Sequence, residues 1–350
     1  MKKLFLFILL FQFCFLYAQD RHYSQFYASP LTLNPALTGA YNAKYRVAGI
    51  YRNQWSGALP QPYTTYGADV DVRFRMPTTA RSKDAVAAGI YFVKDNVSGI
   101  DFINNQMGLS LAYHKALDYK STQYLSVGLQ GSLNQRNVNY EKLMFQDQFN
   151  GINGYTIPTQ EVLPENNFSY GDLNLGVNYT VSVGKKTQFF VGGAYHHILR
   201  PQVSFFARDE NNKDKNFPAN KLFSKFSAHT SANISFSETF SISPRVLAQL
   251  QGPHLETTVG NNFRFYFSNG DKTAFTVGAW ARASKNADGV SLDAIVGLLG
   301  IEFNNIVIGA SYDTYISNVQ TLKNGSGAFE VSIQYLGDFE DEDGVLCPTF

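Results

Sequence analysis

Charged residues are scarce in this sequence. Only 16% of its 350 residues are Asp, Glu, Lys or Arg, whereas an ordinary soluble domain carries roughly a quarter. The 29 basic and 28 acidic side chains give a formal net charge of +1. Because neutralising phosphates takes a basic surplus or patch, this balance argues against nucleic acid as a partner. The hydrophobic content of 44% also excludes a disordered chain, which would combine low hydrophobicity with high net charge.

Cysteine is almost absent. The chain has two cysteines, Cys14 and Cys347. Cys14 lies in an apolar run near the start and lacks the small preceding residues of a lipoprotein cleavage site. Once that run is removed, Cys347 is the single remaining thiol and no internal disulfide can form. Cys347 also has no zinc-binding partner near it in the sequence. We therefore expect no metal site and no cofactor.

Long hydrophobic runs are missing as well. The longest apolar stretch, Leu4 to Leu16, follows Met1-Lys2-Lys3 and precedes Tyr17-Ala18. A membrane-spanning helix needs about 20 apolar residues, and no segment of the chain approaches that length. A positive start, a short apolar region and a small residue at the end are the parts of a secretory signal peptide. We expect residues 1–18 to be removed near Ala18 and the mature chain to be exported.

Alternation of apolar and polar residues is abundant after the signal. In the clearest segment one face carries Leu173, Leu175, Val177, Tyr179, Val181 and Val183, and the other carries Asp172, Asn174, Gly176, Asn178, Thr180 and Ser182. A period of two predicts β-strands with one apolar face. Such strands fit either a soluble sandwich with a dry core or an outer-membrane barrel whose apolar face meets lipid.

Three features favour the barrel. Many alternating segments exceed ten residues, whereas soluble strands are typically about 5 to 6 residues long. Aromatic residues cluster at segment ends, where a membrane-interface girdle would place them. The polar face is rich in Ser, Asn, Gly and Gln. We predict an all-β transmembrane antiparallel β-barrel of about 14 strands, with strands starting near Lys44, Tyr63, Ala85, Asn104, Thr122, Phe168, Thr187, Phe223, Phe240, Leu255, Thr273, Val290, Asn305 and Ala328.

The connections divide the chain further. With the N-terminus in the periplasm, long outer loops are predicted at Asn134 to Asn167 and at Leu199 to Leu222, where Pro, Asn and Lys accumulate. Gly252-Pro253 is a short connection where an outer loop is expected, so the strand register is least secure there. The predicted organisation is a signal peptide at 1–18, an N-terminal segment at 19–43, the barrel at 44–337 and an acidic periplasmic tail at 338–350.

The segment before the first strand has a different character. Residues 22–39 show no alternation, although they hold several aromatic and aliphatic side chains. Such a stretch needs burial, and irregular backbone at membrane depth must be shielded from lipid. It either enters the lumen as a plug or lies across the periplasmic mouth and binds a partner. The plug is the favoured interpretation.

Other polar groups were weighed as chemical sites. Of the six histidines, His114 and His229 are predicted to face the lumen. Adjacent His196 and His197 should point to opposite faces of a strand and so cannot chelate a metal together. No G-x-S-x-G nucleophile motif is present. The acidic run Asp338, Glu340, Asp341, Glu342 and Asp343 could supply Ca²⁺ ligands, but its spacing does not match an EF-hand loop, and a solvated tail or a contact for a basic partner is preferred.

Two motifs carry a family resemblance. The mature N-terminus reads QDRHYSQFYASPLTLNPALTG from Gln19 to Gly39, and YRNQW follows at Tyr51 to Trp55. Both resemble the PorP/SprF family of outer-membrane proteins of the Bacteroidetes type IX secretion system, and the ending Cys347-Pro348-Thr349-Phe350 resembles that family's Cys-Pro-x-Phe terminus. The family-motif residues, expected to form the plug or a partner contact, are Tyr23, Ser24, Gln25, Phe26, Pro30, Asn34, Pro35, Gly39, Arg52, Asn53, Gln54 and Trp55. The expected periplasmic tail contacts are Asp338, Glu340, Asp341, Glu342, Cys347 and Phe350.

The resemblance implies a function as well as a fold. It implies a multi-pass outer-membrane barrel similar to the fatty-acid transporter FadL. Its implied partners are a secreted adhesin with a type B C-terminal domain, which it helps to export and anchor, and secretion or gliding lipoproteins on the periplasmic side, with lipid around the barrel. The family has no catalytic motif, so no enzyme activity is expected.

Two alternatives stay open on the residues alone. A FadL-like passive transporter of hydrophobic small molecules predicts lipid in the lumen. A lipid-modifying enzyme predicts hydrolysis that is lost when one lumen serine or histidine is replaced.

Overall fold

The fold is seen in a computed structural model of the chain. It describes residues 20–57, 59–76, 83–97, 99–184, 186–206, 220–267, 273–286, 289–316 and 327–337. The fourteen strands of these residues are β1 Tyr45–Gln54, β2 Tyr63–Arg75, β3 Ala85–Val97, β4 Phe102–Ala116, β5 Gln123–Asn137, β6 Asn167–Val183, β7 Thr187–His196, β8 Lys225–Ser235, β9 Phe240–Gln251, β10 His254–Tyr266, β11 Ala274–Asn286, β12 Gly289–Phe303, β13 Ile306–Tyr315 and β14 Gly327–Gly337.

The strands form one closed antiparallel barrel. Each strand pairs with its neighbours in the chain, and β1 closes the ring by pairing with β14, from Tyr45 opposite Gly337 to Gln54 opposite Ala328. Closure satisfies the backbone groups that an open sheet would expose at its edges, which is a requirement within lipid. The predicted fold class is confirmed, and every predicted strand start lies within two residues of the observed one.

The alternation of apolar and polar residues in the sequence places apolar side chains on the outside of the barrel and polar side chains on the inside. On β6, Leu175 and Val177 point outward with 45% and 52% of their surface exposed, while Asn174 and Asn178 point inward at 3% and 1%. The same division continues around the ring, because successive strand residues face opposite sides of a sheet. The barrel therefore has an apolar outer wall and a polar inner wall.

The two rims of the barrel differ. The start of β1 and the end of β14 lie at one rim, and the long connections 138–166 and 197–224 lie at the other. Since outer-membrane barrels have short periplasmic turns and longer extracellular loops, we call the rim with the long connections the outer rim. Asn134 and Asn167, predicted as loop ends, instead belong to β5 and β6, whose pairing extends beyond the membrane-spanning part. A turn at Gly252 and Pro253 joins β9 to β10, with Gly252 at a φ of +56°.

Helices are short throughout the described residues. The helical turns are Phe26–Ala28, Pro30–Leu33, Pro35–Leu37, Tyr140–Lys142 and Gln146–Gln148. No helix in these parts of the chain has the length and apolar character to cross a membrane.

Candidate functional site: the plugged lumen and its outer rim

Residues 20–44 run through the lumen and are called the plug below. Pro30 and Pro35 each open a helical turn, where a missing N–H costs nothing and the fixed φ favours the turn. Asn34 caps the second of these turns by accepting the Ala36 N–H at 2.9 Å. These local signals fold a stretch without strand alternation into a compact irregular segment.

Apolar side chains of the plug pack against a small apolar patch on the inner wall. Phe26, Leu33 and Leu37 are at most 6% exposed and belong to one cluster with Trp280 and Leu298 of the wall. The Phe26 ring meets the Trp280 ring edge-on, with centroids 5.7 Å apart. This cluster, together with Leu31 packed against Tyr91 and Val93 of β3, gives the plug hydrophobic contacts in a mainly polar lumen.

Glu330 holds the outer half of the plug. Its two carboxylate oxygens accept the consecutive backbone N–H groups of Ser24 and Gln25, each at 2.8 Å. Arg52 on β1 forms an ion pair with the same carboxylate, and the Arg52 and Glu330 side chains are 3% and 0% exposed. A buried carboxylate requires such compensation, so the plug backbone and Arg52 stabilise Glu330 together.

The side chains of the same two plug residues are also satisfied by the wall. The Ser24 hydroxyl donates to Asp313 at 2.6 Å. The Gln25 amide donates to Ser311 at 3.0 Å and accepts from Ser332 at 2.8 Å. Each contact joins residues 286 to 307 positions apart in the chain, and the plug is therefore anchored to the C-terminal strands.

Asn34 anchors the middle of the plug to the opposite side of the barrel. Its side-chain amide donates to the carbonyl oxygens of Val177 and Gly193 at 3.0 and 3.2 Å and lies 3.1 Å from His229 Nε2. The adjacent wall position, Gly128, has no side chain, and a Cβ there would lie 2.3 Å from the Pro35 carbonyl carbon. The glycine therefore provides the space in which the plug sits.

The inner end of the plug meets β2 and β4. Gly39 has a φ of +69° and donates its N–H to Asp71 at 2.7 Å. His114 Nε2 lies 2.8 Å from the Thr38 carbonyl oxygen, and the Thr38 hydroxyl is 2.7 Å from Ser110 Oγ. A glycine is required at this position, because the left-handed backbone and the neighbouring wall leave no room for a side chain.

The outer end of the plug is held by charge. The Asp20 carboxylate lies 2.7 Å from both Lys225 Nζ and His197 Nε2, and His197 Nδ1 contacts Asp172. Burial alone would lower the pKa of His197, but the carboxylates of Asp20 and Asp172 outweigh it and raise that pKa to about 9. His197 is thus a cation near neutral pH, and we call these four residues the outer latch.

The predicted site residues separate into two groups. Tyr23, Ser24, Gln25, Phe26, Pro30, Asn34, Pro35 and Gly39 all lie buried in the plug, and Arg52 faces them from β1. Asn53, Gln54 and Trp55 lie at the outer end of β1, where the Gln54 amide donates to Tyr315 at 2.8 Å and Trp55 packs on Tyr63. The tail residues Asp338, Glu340, Asp341, Glu342, Cys347 and Phe350 lie outside the described residues.

Sequence reasoning missed the wall residues that receive the plug. Asp71, Asp172, Asp313 and Glu330 are nearly inaccessible to solvent, and each contacts the plug or a residue bound to it. A signal existed, because carboxylates are rare in this chain and these four occupy inward strand positions. Their partners could not be read from the sequence, since each contact joins distant segments.

The histidines occupy structural positions. His114 and His229 face the lumen as predicted and contact the plug. His196 and His197, however, both point inward, because His197 follows the end of β7 with a φ of +59° and turns its ring back towards Asp172. No group of three metal-ligating side chains suited to a metal occurs among the described residues.

Two serine–histidine contacts bear on the enzyme alternative. His114 Nδ1 lies 2.7 Å from Ser126 Oγ, but both residues are at most 1% exposed beneath the plug. His196 Nε2 lies 3.2 Å from Ser227 Oγ, whose hydroxyl donates to the Leu33 carbonyl of the plug. Neither hydroxyl is accessible to a substrate, so these pairs support the plug rather than a nucleophile.

The connection between β5 and β6 is ordered by its own contacts. Asn150 Oδ1 accepts three backbone N–H groups at 3.0 to 3.1 Å, and Asp147 accepts the Gln160 N–H at 2.6 Å. Despite this order, Met144, Ile152 and Val162 are 76%, 84% and 66% exposed. The outer rim thus carries a structured loop with apolar side chains in solvent.

Comparison with known proteins now adds the family. The family described as type IX secretion system membrane protein PorP/SprF matches residues 15–335. The chain belongs to the PorP/SprF family. No curated protein sequence matches it. As a PorP/SprF protein it is a membrane protein of the type IX secretion system, its closed barrel fits an outer-membrane location, and its system membership implies partners within that system.

Solved structures with a similar fold extend over most of the PorP/SprF chain. The toluene transporter TbuX of Ralstonia pickettii has a TM-score of 0.50 at 9% identity, covering 89% of this chain and 94% of that one. The monoaromatic hydrocarbon channel CymD has a TM-score of 0.50 at 11% identity, covering 89% and 93%. At such low identity the likeness shows the fold alone, and it confirms the FadL-like barrel that the resemblance implied.

Proposed function

We propose that this barrel is an accessory component of type IX secretion that binds the C-terminal domain of a secreted adhesin at its outer rim. It would thereby support export of the adhesin and anchor it at the cell surface, in motility, adhesion or effector export. The single observation that carries the proposal is the contrast between a lumen filled by the plug and an ordered outer loop that exposes apolar side chains.

The filled lumen directs recognition to the outside. The plug is fixed by charge at Asp20, by backbone donation at Ser24 and Gln25, and by the Asn34 amide, so its contacts extend from one end of the lumen to the other. An unfolded or folded protein does not pass through a lumen occupied in this way. Loops on a rigid barrel are the usual carriers of recognition, and the outer rim is the surface left for it.

The loop 138–166 provides the contact surface. Isolated exposed apolar residues are ordinary on a protein surface, but here six lie on one loop that uses internal hydrogen bonds to hold its shape, and Met144, Ile152 and Val162 are the most exposed of them. A preordered loop loses little conformational entropy on binding. We propose that Met144, Ile152 and Val162 contact the adhesin domain, with Val203 and Phe205 at the same rim.

The periplasmic side has a separate proposed role. The acidic tail at 338–350 would contact a basic surface of secretion or gliding lipoproteins, with Asp338, Glu340, Asp341 and Glu342 supplying the charge. Its test is pull-down from native membranes of wild type and of a chain with these four acids replaced by Asn and Gln. Loss of every co-purified periplasmic lipoprotein from the variant is expected, and unchanged recovery would contradict this role.

A passive transporter of hydrophobic small molecules is the second candidate. The hydrocarbon channels among the solved structures favour it, although they are similar in fold alone. The wall facing the plug is polar, and its apolar patch around Trp280 is covered by Phe26 and Leu37. The transporter predicts that deleting the gene impairs hydrocarbon or fatty-acid uptake and leaves secretion intact.

The decisive experiment replaces the outer loop surface. We would compare wild-type cells with a Met144→Ser, Ile152→Ser, Val162→Ser variant and measure the secreted adhesins in surface and medium fractions by mass spectrometry. Release of one large adhesin into the medium is expected, with the barrel still assembled. The matched control is Leu117→Ser with Tyr119→Ser, because these residues are 50% and 82% exposed at the opposite rim. Equal surface retention in all three strains would overturn the proposal.

A further inference from the structure

A cavity of about 70 Å³ lies in the outer half of the lumen, above the first residues of the plug. Arg21 of the plug contributes to its floor. Asn104, Asn134, Arg136 and Tyr170 line its wall, and all four lie near the outer ends of β4, β5 and β6. We call this cavity the outer vestibule. It lies on the same side of the barrel as the loop 138–166.

The vestibule contains polar groups that the protein leaves unused. Arg21 donates one Nη2 hydrogen to Gln106, and Arg136 donates from Nη1 to the Val203 carbonyl at 3.4 Å. The Nε atoms of both arginines and Oδ1 of Asn104 are buried and have no hydrogen-bond partner in the described chain. Buried donors and acceptors without partners are costly, and all three residues line this cavity.

The two arginines also lack carboxylate partners. Among the residues that the structure describes, neither Arg21 nor Arg136 lies within ion-pair distance of an Asp or Glu. Asp95, which contributes to the field at Arg21, accepts the Thr65 hydroxyl at 2.5 Å instead. The other nearby acids belong to the outer latch, where Asp20 and Asp172 balance Lys225 and His197. The vestibule therefore contains two guanidinium groups that no carboxylate of the described chain contacts directly.

Size restricts what could satisfy these charges. An engineered cavity of roughly 150 Å³ holds a benzene ring, and the vestibule has less than half of that volume. The end of an acidic side chain fits, whereas a ring of an acidic sugar does not. A guanidinium forms its strongest hydrogen bonds with a planar carboxylate, which matches both the free Nε groups and the available space.

We propose that the outer vestibule binds the carboxylate of a Glu or Asp side chain on the secreted partner, with Arg21 and Arg136 as the recognising groups. This inference rests on the proposed function and gives it a chemical determinant: the bound domain inserts an acidic segment past the loop 138–166. Because Arg21 belongs to the plug, the partner contacts plug and wall at the same place.

The test uses the purified full-length protein in detergent and fluorescein-labelled hexaglutamate as the probe, with binding followed by fluorescence anisotropy. We expect saturable binding that weakens at least tenfold in the Arg21→Gln, Arg136→Gln variant. A Lys186→Gln variant, which removes one positive charge at the opposite rim, should bind like wild type. The single variant Arg21→Gln leaves the barrel wall unchanged, and its affinity for hexaglutamate should fall several-fold. This second measurement keeps the test decisive if the double variant assembles poorly.

Specific outcomes overturn the inference. Hexalysine binding as tightly as hexaglutamate would exclude an anion site, and hexagalacturonate binding more tightly than hexaglutamate would assign the site to acidic sugars. If the outer-loop variant releases adhesin but hexaglutamate affinity is unchanged when both arginines are replaced, the vestibule inference fails and the proposed function stands. If binding depends on the arginines but the outer-loop variant keeps its adhesin, the proposed function fails instead.

Discussion

Arg46 on β1 and Asp71 on β2 form a two-pronged ion pair, with Nε 2.9 Å from Oδ1 and Nη2 2.7 Å from Oδ2. The two side chains are 2% and 0% exposed. Asp71 Oδ2 also accepts the Gly39 N–H at 2.7 Å, and the Asp71 carbonyl oxygen accepts the Tyr41 hydroxyl at 2.6 Å. One aspartate thus joins two wall strands to the inner end of the plug.

Replacing Asp71 with Asn should destabilise the barrel strongly. The change leaves the Arg46 guanidinium buried without its counter-charge, and removing one partner of a buried pair typically costs about 3–5 kcal/mol. We expect a loss of that size in the free energy of unfolding, measured by urea titration of the purified barrel in detergent. Glu238→Gln, at an exposed turn, is the control and should stay within about 0.5 kcal/mol of wild type. A loss below about 1 kcal/mol for Asp71→Asn would contradict the buried pair.

Adding one methyl group to the wall should displace the plug. In Gly128→Ala the new Cβ would meet the backbone of Pro35 and Ala36 at 2.3 to 2.4 Å, and backbone cannot rotate away as a side chain can. Higher single-channel conductance in planar bilayers is expected, with the barrel itself still folded. Gly297→Ala is the matched control, since a Cβ at Gly297 has no atom within 4 Å. Equal conductance of both variants would show that the plug is not seated against Gly128.

The outer latch should weaken as pH rises. The pKa of His197 is raised from an ordinary value of 6.5 to about 9 in the folded protein, so its stabilising charge is fully present below pH 6.5 and is lost as pH passes through about 9. Hydrogen exchange at residues 20–25 should therefore accelerate between pH 8 and 10, after correction for the intrinsic rate. In His197→Gln this step should vanish. Persistence of the step in the variant would assign it to a group other than His197.

Cysteine labelling should establish which rim faces outward. In a Cys347→Ser background, Met144→Cys should react with a membrane-impermeant maleimide on intact cells. Glu238→Cys, which is also exposed but lies at the opposite rim, should react only after the cells are lysed. The reverse pattern would invert the assignment of the rims and with it the proposed adhesin surface.

The barrel could be predicted from the sequence because the patterns that define its strands and turns lie within short stretches of the chain. Period-two alternation fixes which residues of a strand face lipid, and turns of Gly, Asn and Pro fix where strands end, so each strand start was found to within two residues. Loop boundaries were less accurate at Asn134 and Asn167, because strand pairing continues after the apolar alternation stops. Polar residues there carry no sequence signal that separates strand from loop.

The seating of the plug could not be predicted, because it depends on contacts between distant positions. The motif around Ser24 and Gln25 was visible, but nothing in the sequence paired it with Glu330. The inward ring of His197 was also not predicted, because adjacent strand residues are expected on opposite faces, whereas His197 follows the end of β7 with a φ of +59°. The unpartnered Nε groups of Arg21 and Arg136 likewise depend on where distant carboxylates lie in the fold, which the sequence does not give.

The order of assembly is constrained by the way Ser24 and Gln25 bind Glu330. The plug finds its acceptors on β14, and Gln25 and Ser332 are 307 positions apart in the chain. Contacts this distant form late in folding, so the N-terminal segment must wait inside the barrel until β14 closes against β1. A chain that ends before Glu330 would leave Arg52 without its carboxylate and the segment without its acceptors. Docking of the plug therefore depends on β14 being in place beside β1.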